Sequence, residues 1–293
     1  MVNFASYNPA NDIPSLTGRV ILITGGNIGL GRQSALDLSK HNPAAIWIAA
    51  RTEQKAKATI AAINCKAPRV STQFLELDLA SFQSIKDAAR VFLASVSRRD
   101  ILFLNAGIMG CPPDLTKEGC EIHFGTNHVG RALFLKLLMP VIQKTASDHP
   151  GRDLRVVTVS STAHKFFPSG GIQFDSLKSK TGQVSMSRLY EQSKLANVIY
   201  AREIAKRYSF LTSVSIHPGI VKTDLQSSGR DLMMRRFQKL VVPIFGVTAA
   251  ECTKSQLWAA TADGVVSGEY YKPVGVPGKG SALSKDKHLA KNL

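Results

Sequence analysis

Short apolar runs alternate with amphipathic stretches along most of the chain. Residues 19–24, 45–50, 72–77, 101–104, 155–159 and 212–216 are short apolar runs rich in β-branched or aromatic side chains, and 268–272 is a more polar seventh. Such runs predict strands buried on both faces, as in a parallel sheet. Between them, 32–40, 53–65, 81–97, 120–145, a stretch through Tyr190 to about Tyr208, and 249–262 carry helical spacing. Within 81–97, Phe82, Ile85, Ala89, Phe92, Leu93 and Val96 recur at helical intervals and predict core positions. No internal repeat appears. The alternation predicts one α/β domain over 1–293: a doubly wound Rossmann sheet, parallel, of about seven strands with helices on both faces. Four stretches of the domain break that alternation: a loose N-terminal arm at 1–15, a polar, glycine-rich loop at 162–186, a mixed segment at 224–247 and a basic tail at 278–293. The mixed segment reads as a substrate lid or, less favoured, as an amphipathic stretch in peripheral contact with a membrane.

Composition narrows the class. With 44% apolar and 20% charged residues in 293, the chain is globular rather than disordered. Its net charge of +16 points either to an anionic partner, such as a phosphorylated cofactor, or to a generally basic surface. No run of five like charges and no aromatic-interleaved basic stripe occurs, which argues against a nucleic-acid partner. The cysteines Cys65, Cys111, Cys120 and Cys252 have neither disulfide-framework nor zinc spacing, so reduced thiols and no metal are expected. The opening stretch lacks an apolar core, and no run is long enough to span a bilayer; a cytoplasmic location is expected.

The chemistry gathers where predicted strands end. The first strand runs into Gly25-Gly-Asn27-Ile28-Gly29-Leu30-Gly31 and then a helix. Strand, glycine turn and helix N-terminus together suit a pyrophosphate, although a plain structural turn gives the same pattern. The second strand ends in Ala50 and Arg51, where a carboxylate would bind a ribose 2′-hydroxyl. Arginine there favours a 2′-phosphate, with Lys55 one turn on, and so predicts NADP(H); the alternative is an ordinary solvated charge. Asp78 and Leu79 close the third strand, where an adenine edge would lie, and Asn105, Ala106 and Gly107 close the fourth. Asn127 falls in mid-helix, a candidate for a polar task or a core amide. Ser160 and Ser161 end the fifth strand, and His217-Pro218-Gly219-Ile220-Val221-Lys222-Thr223 follows the sixth. Tyr190 and Lys194 lie one helical turn apart, where an ammonium favours the phenolate and makes the tyrosine a usable acid or base. Alone that spacing is weak, with roughly 0.4 chance matches in a chain of this composition.

Taken in order, Thr24–Gly31, Asp78, Asn105–Gly107, Asn127, Ser160–Ser161, Tyr190-x-x-x-Lys194 and His217–Thr223 resemble the short-chain dehydrogenase/reductases over about Leu16–Leu289. Ser-Ser-x-Ala-His at 160–164 and Tyr-x-x-Ser-Lys-Leu-Ala-Asn at 190–197 look like the retinol dehydrogenase and WW-domain oxidoreductase branch; Gly268–Gly275 is similar to fungal secondary-metabolism reductases. The resemblance implies reversible, NADPH-dependent reduction of a fairly apolar ketone or aldehyde. Tyr190 would be the acid/base. Lys194 would lower its pKa and hold the nicotinamide ribose, and Ser161 would bind the carbonyl oxygen. Asn127 would hold a proton-relay water. Pro218, Gly219, Val221 and Thr223 would hold the carboxamide, and His164 would line the pocket or cap its loop. Homo-oligomers and monomers both occur among such proteins. A non-catalytic NADP(H)-binding regulator on the same fold is the competing reading.

Overall fold

A computed structural model describes residues 7–166, 171–178, 184–221 and 246–293. Its centre is an eight-stranded sheet: β1 (Val20–Thr24), β2 (Ala45–Ala50), β3 (Ser71–Glu76), β4 (Ile101–Leu104), β5 (Arg155–Val159), β6 (Thr212–Ile216), β7 (Tyr270–Lys272) and β8 (Val276–Pro277). Their spatial order is β3-β2-β1-β4-β5-β6-β7-β8, and only the β7–β8 pair is antiparallel. The expected seven strands are therefore present, with the last starting at Tyr270 instead of Gly268, and β8 is an addition. The helices are α1 (Pro9–Asp12), α2 (Gly29–Ser39), α3 (Glu53–Lys66), α4 (Phe82–Ser95), α5 (Ile122–Phe124), α6 (Gly130–Asp148), α7 (Met186–Arg207), α8 (Ala249–Thr261) and α9 (Lys287–Asn292).

The strand periodicity explains why helices cover both faces. Successive side chains on β1 alternate, so Ile21 and Ile23 join one core with Ala35 and Leu38 of α2 and Leu257 of α8. Val20 and Leu22 join the other, with Ile85 and Phe92 of α4 and Phe134 and Leu138 of α6. Helix α4 buries Ile85, Ala88, Ala89 and Phe92, an i, i+3, i+4, i+7 stripe. Leu93, expected in the core, is instead 36% exposed, because it falls one position off that stripe.

The N-terminal arm differs from expectation. The described part of the N-terminal arm is docked: Tyr7 and Ile13 are core residues, and the Tyr7 hydroxyl pairs with Thr261 at 2.9 Å. The tail is docked as well. Asp286 caps α9 through the N–H groups of His288 and Leu289, and Leu289 packs with Ile172, Phe124 and Leu195. The loop at 162–186 is less uniformly polar at the surface than its composition implied. Its described parts hold 3₁₀ turns at Thr162–Lys165 and Phe174–Lys178, and Ile172 is buried between them. Of the segment expected to be a lid, 224–245 lies outside the described residues; Val247 bridges Val221 in parallel at its far end. No helix among the described residues is long and apolar enough to cross a membrane.

Candidate active site

The sheet order reverses between β1 and β4, and ligands of open α/β sheets bind at the carboxyl ends flanking such a point. The glycine turn leaves β1 here and enters α2, whose N-cap Ile28 is extended and offers no side-chain cap. The first-turn N–H groups of α2 are thus left for a ligand's oxygens, which fits a pyrophosphate. Gly31 is fixed by close approach: a Cβ there would lie 2.2 Å from the Gly25 carbonyl oxygen. Asn105 stitches the turn to β4, donating through Nδ2 to Thr24 O (2.9 Å) and Gly25 O (3.4 Å). The Thr24 hydroxyl accepts from the N–H groups of Asn105 and Ala106, both at 3.0 Å. Gly25, Asn27, Ile28, Gly29, Leu30, Gly31, Asn105, Ala106 and Gly107 therefore form one continuous surface with the end of β4.

The other cofactor candidates surround it. Arg51 follows β2 directly and is exposed, with Lys55, also exposed, on the first turn of α3. Asp78 is half-buried and turns the chain by accepting from Ala80 N at 3.0 Å. Leu79 has its side chain in the core, so only its backbone can face a ligand. Pro218, Gly219 and Val221 follow β6 at the same carboxyl edge; Thr223 lies outside the described residues.

Asn127 sits in a π-helical turn, Gly125–Val129, between α5 and α6. The local widening turns its amide inward, where it is fully buried. Its Oδ1 accepts from Ile108 N (2.8 Å), and its Nδ2 donates to Ile108 O (2.9 Å) and to Ser193 Oγ (3.0 Å). Both amide donors are engaged, so this side chain ties the post-β4 loop to α7. Ser193 was not among the expected site residues; it lies inside the Tyr190-to-Lys194 turn and donates to Tyr190 O at 2.6 Å.

Tyr190 and Lys194 share a face of α7 as their spacing requires. The Lys194 Nζ lies 5.3 Å from the Tyr190 ring centroid and donates to Val159 O at 3.2 Å. The Tyr190 phenol is hydrogen-bonded to the Ser161 hydroxyl. Burial pushes that phenol up to about 12, opposed by the Ser161 bond and by the charge of Arg131. Burial, with Arg131 nearby, holds the Lys194 ammonium well below the usual lysine range. The ammonium lies over the ring and bonds a backbone carbonyl, and the charge of Arg131 also favours the phenolate. Ser160 is structural, donating to Lys194 O at 2.7 Å. His164 caps its loop: Nδ1 donates to Ser161 O at 2.6 Å while the ring stands edge-on to Tyr270.

Arg131 was not expected at the site. It is 1% exposed and donates from Nε to Ala106 O (2.7 Å) and from its terminal nitrogens to Val159 O (3.0 Å) and Asn105 O (3.2 Å). The signal for it lay in spacing. Arg131, Phe134, Leu135 and Leu138 form one buried i, i+3, i+4, i+7 stripe of α6, so this arginine occupies a core position. It also accounts for Gly107, where a Cβ would come within 2.8 Å of the Arg131 guanidinium and 2.9 Å of Asn127 Oδ1. Among the described residues no three His, Cys, Asp or Glu side chains gather as a metal site.

Known proteins place this arrangement. The sequence profile of the short chain dehydrogenase family matches residues 19–232. A short-chain dehydrogenase/reductase of Armillaria gallica is 36% identical over 290 residues, covering 97% of this chain and 90% of that protein. Human retinol dehydrogenase 12 is 36% identical over 262 residues, covering 87% of this chain and 78% of its own. The crystal structure of an uncharacterized protein from Mycobacterium paratuberculosis superposes with a TM-score of 0.74 at 28% identity, covering 97% and 93% of the two chains. The chain belongs to the short-chain dehydrogenases/reductases, oxidoreductases that bind a nicotinamide cofactor, in the branch of the retinol dehydrogenases and their fungal relatives.

Proposed function

We propose that this oxidoreductase reduces the carbonyl of a fairly apolar ketone or aldehyde to the alcohol, reversibly, with NADPH as its cofactor. One observation carries the reading: the Tyr190 phenol, hydrogen-bonded to Ser161, stands over Lys194 at the carboxyl end of β5, two strands from the glycine turn of β1. Bound NADPH supplies the hydride. The chain supplies the proton and the setting. Tyr190 donates its proton to the carbonyl oxygen as charge develops there, and the Ser161 hydroxyl donates a hydrogen bond to the same oxygen. With the phenol pushed up to about 12, Tyr190 is protonated at neutral pH, the form reduction requires. Alcohol oxidation needs the phenolate, so it gains as pH rises.

Other residues would hold the cofactor. The backbone from Gly25 to Gly31 would take the pyrophosphate, Asp78 with the backbone of Leu79 the adenine edge, and Asn105–Gly107 the middle of the dinucleotide. Tyr190 and Lys194 would take the nicotinamide ribose hydroxyls, and Pro218, Gly219, Val221 and Thr223 the carboxamide. An apolar substrate is supported by Phe166, 74% exposed just beyond Ser161, and by a relative whose name assigns it retinol.

The NADPH preference rests on Arg51, and its test is direct. Arg51→Glu is expected to weaken NADPH binding by tenfold or more and to leave NADH binding unchanged or stronger, since a carboxylate repels the 2′-phosphate. Fluorescence titration of both cofactors, followed by turnover of a panel of ketones and aldehydes, reads it. Equal NADPH affinity in the variant removes the NADP(H) assignment. Tight NADPH binding without turnover of any carbonyl favours a cofactor-binding regulator instead.

A further inference from the structure

We propose that Arg131 is a positioning residue of this site, a buried cation that locks the ends of β4 and β5 together and sets the acidity of the Tyr190 phenol. The inference rests on the reading of Tyr190 as acid/base and adds a residue to it. A buried charge normally faces an opposite charge. Arg131 is 1% exposed, yet among the described residues it pairs with no carboxylate and is satisfied by the carbonyls of Asn105, Ala106 and Val159. A neutral core side chain would fill the same stripe of α6 without that desolvation cost, so the charge itself needs a purpose.

The geometry supplies one. The Val159 carbonyl accepts from both Arg131 (3.0 Å) and Lys194 (3.2 Å), so the two cations meet at one oxygen at the end of β5. Arg131 also borders Asn127 across Gly107. Burial pulls Arg131 down to about 9, which keeps it charged at neutral pH, whereas burial and Arg131 together discourage the charge on Lys194. Arg131 therefore adds its positive field to that of Lys194 at the phenol. Four other groups face this pair. Ser161 hydrogen-bonds the phenol, Tyr270 from β7 is itself pushed up by burial, and His164 and His217 are held low and neutral by burial. None of these supplies a cation at neutral pH.

The test reads the phenol itself and needs no substrate, so it is independent of whether a carbonyl is turned over. A difluorotyrosine, intrinsically more acidic than tyrosine, is placed at position 190 of the full-length protein, and its fluorine NMR shift is followed against pH. The same is done with Arg131→Gln, Arg131→Met and Arg131→Lys, with circular dichroism and melting as fold controls. The phenol midpoint is expected to rise by about one pH unit in the two neutral variants and to return toward the starting value in Arg131→Lys. Arg131→Gln keeps an N–H donor for the strand-end carbonyls and carries the test if Arg131→Met does not fold. A folded neutral variant with an unmoved midpoint overturns the proposal. So does loss of folding in both neutral variants, which would make the arginine structural only. Unmoved midpoints alongside a working carbonyl reductase would leave the function of Tyr190 standing and remove Arg131 alone.

Discussion

Tyr190→Phe is expected to lower kcat by roughly a thousandfold, about 4 kcal/mol in the barrier, while leaving the fold close to that of the parent and weakening cofactor binding by no more than the one ribose hydrogen bond the phenol would make. The substitution removes one oxygen. The ring that packs beside Lys194 remains, and so does the i, i+4 geometry on α7. What disappears is the proton donor and the hydrogen bond that holds Ser161 toward the substrate oxygen. Steady-state kinetics on any carbonyl substrate found, with a melting curve as control, gives the answer. Undiminished kcat would take the acid/base role from Tyr190.

Gly31→Ala has the largest expected effect on the cofactor side. The added methyl would sit 2.2 Å from the Gly25 carbonyl oxygen and 2.7 Å from Asn105 Nδ2. The first of these is backbone and cannot swing away, so the glycine turn must open. Asn105, which stitches that turn to β4, is displaced with it. The expected outcome is an NADPH Kd raised at least about tenfold, with a stability loss of about 1–3 kcal/mol. Gly119→Ala is the control. Nothing lies within 4 Å of its added methyl, and only a left-handed φ of +79° is strained. It should cost about 1 kcal/mol of stability and leave cofactor affinity unchanged. Cofactor titration and thermal unfolding of both variants check the contrast; parent-like affinity in Gly31→Ala would contradict the tight packing of the turn.

Much of this site was legible because its residues sit where periodicity and strand ends put them. Tyr190 and Lys194 share a helix face by spacing. The glycine turn and Asn105–Gly107 are marked by the apolar runs that precede them. Four features escaped for physical reasons. The two-residue strand Val276–Pro277 is too short and too exposed to show an apolar run. The tail docks through Leu283, Leu289, Ala290 and Leu293, which are spread too thinly among lysines to register as a core face. The π-turn at Gly125–Val129 has no sequence period of its own, so Asn127 appeared as one polar residue in a continuous helix. Arg131 carried a usable signal, an arginine on an apolar stripe, but a lone charged residue does not register in a pattern of apolar positions.

The most direct measurement is the fate of the hydride. Purified protein is incubated with NADPH deuterated at the transferable position and a panel of apolar ketones and aldehydes, and the products are analysed by mass spectrometry. The account predicts at least one alcohol carrying a single deuterium on its carbinol carbon, formed by the parent protein and not by Tyr190→Phe. Tight NADPH binding with no labelled alcohol from any member of the panel would contradict it.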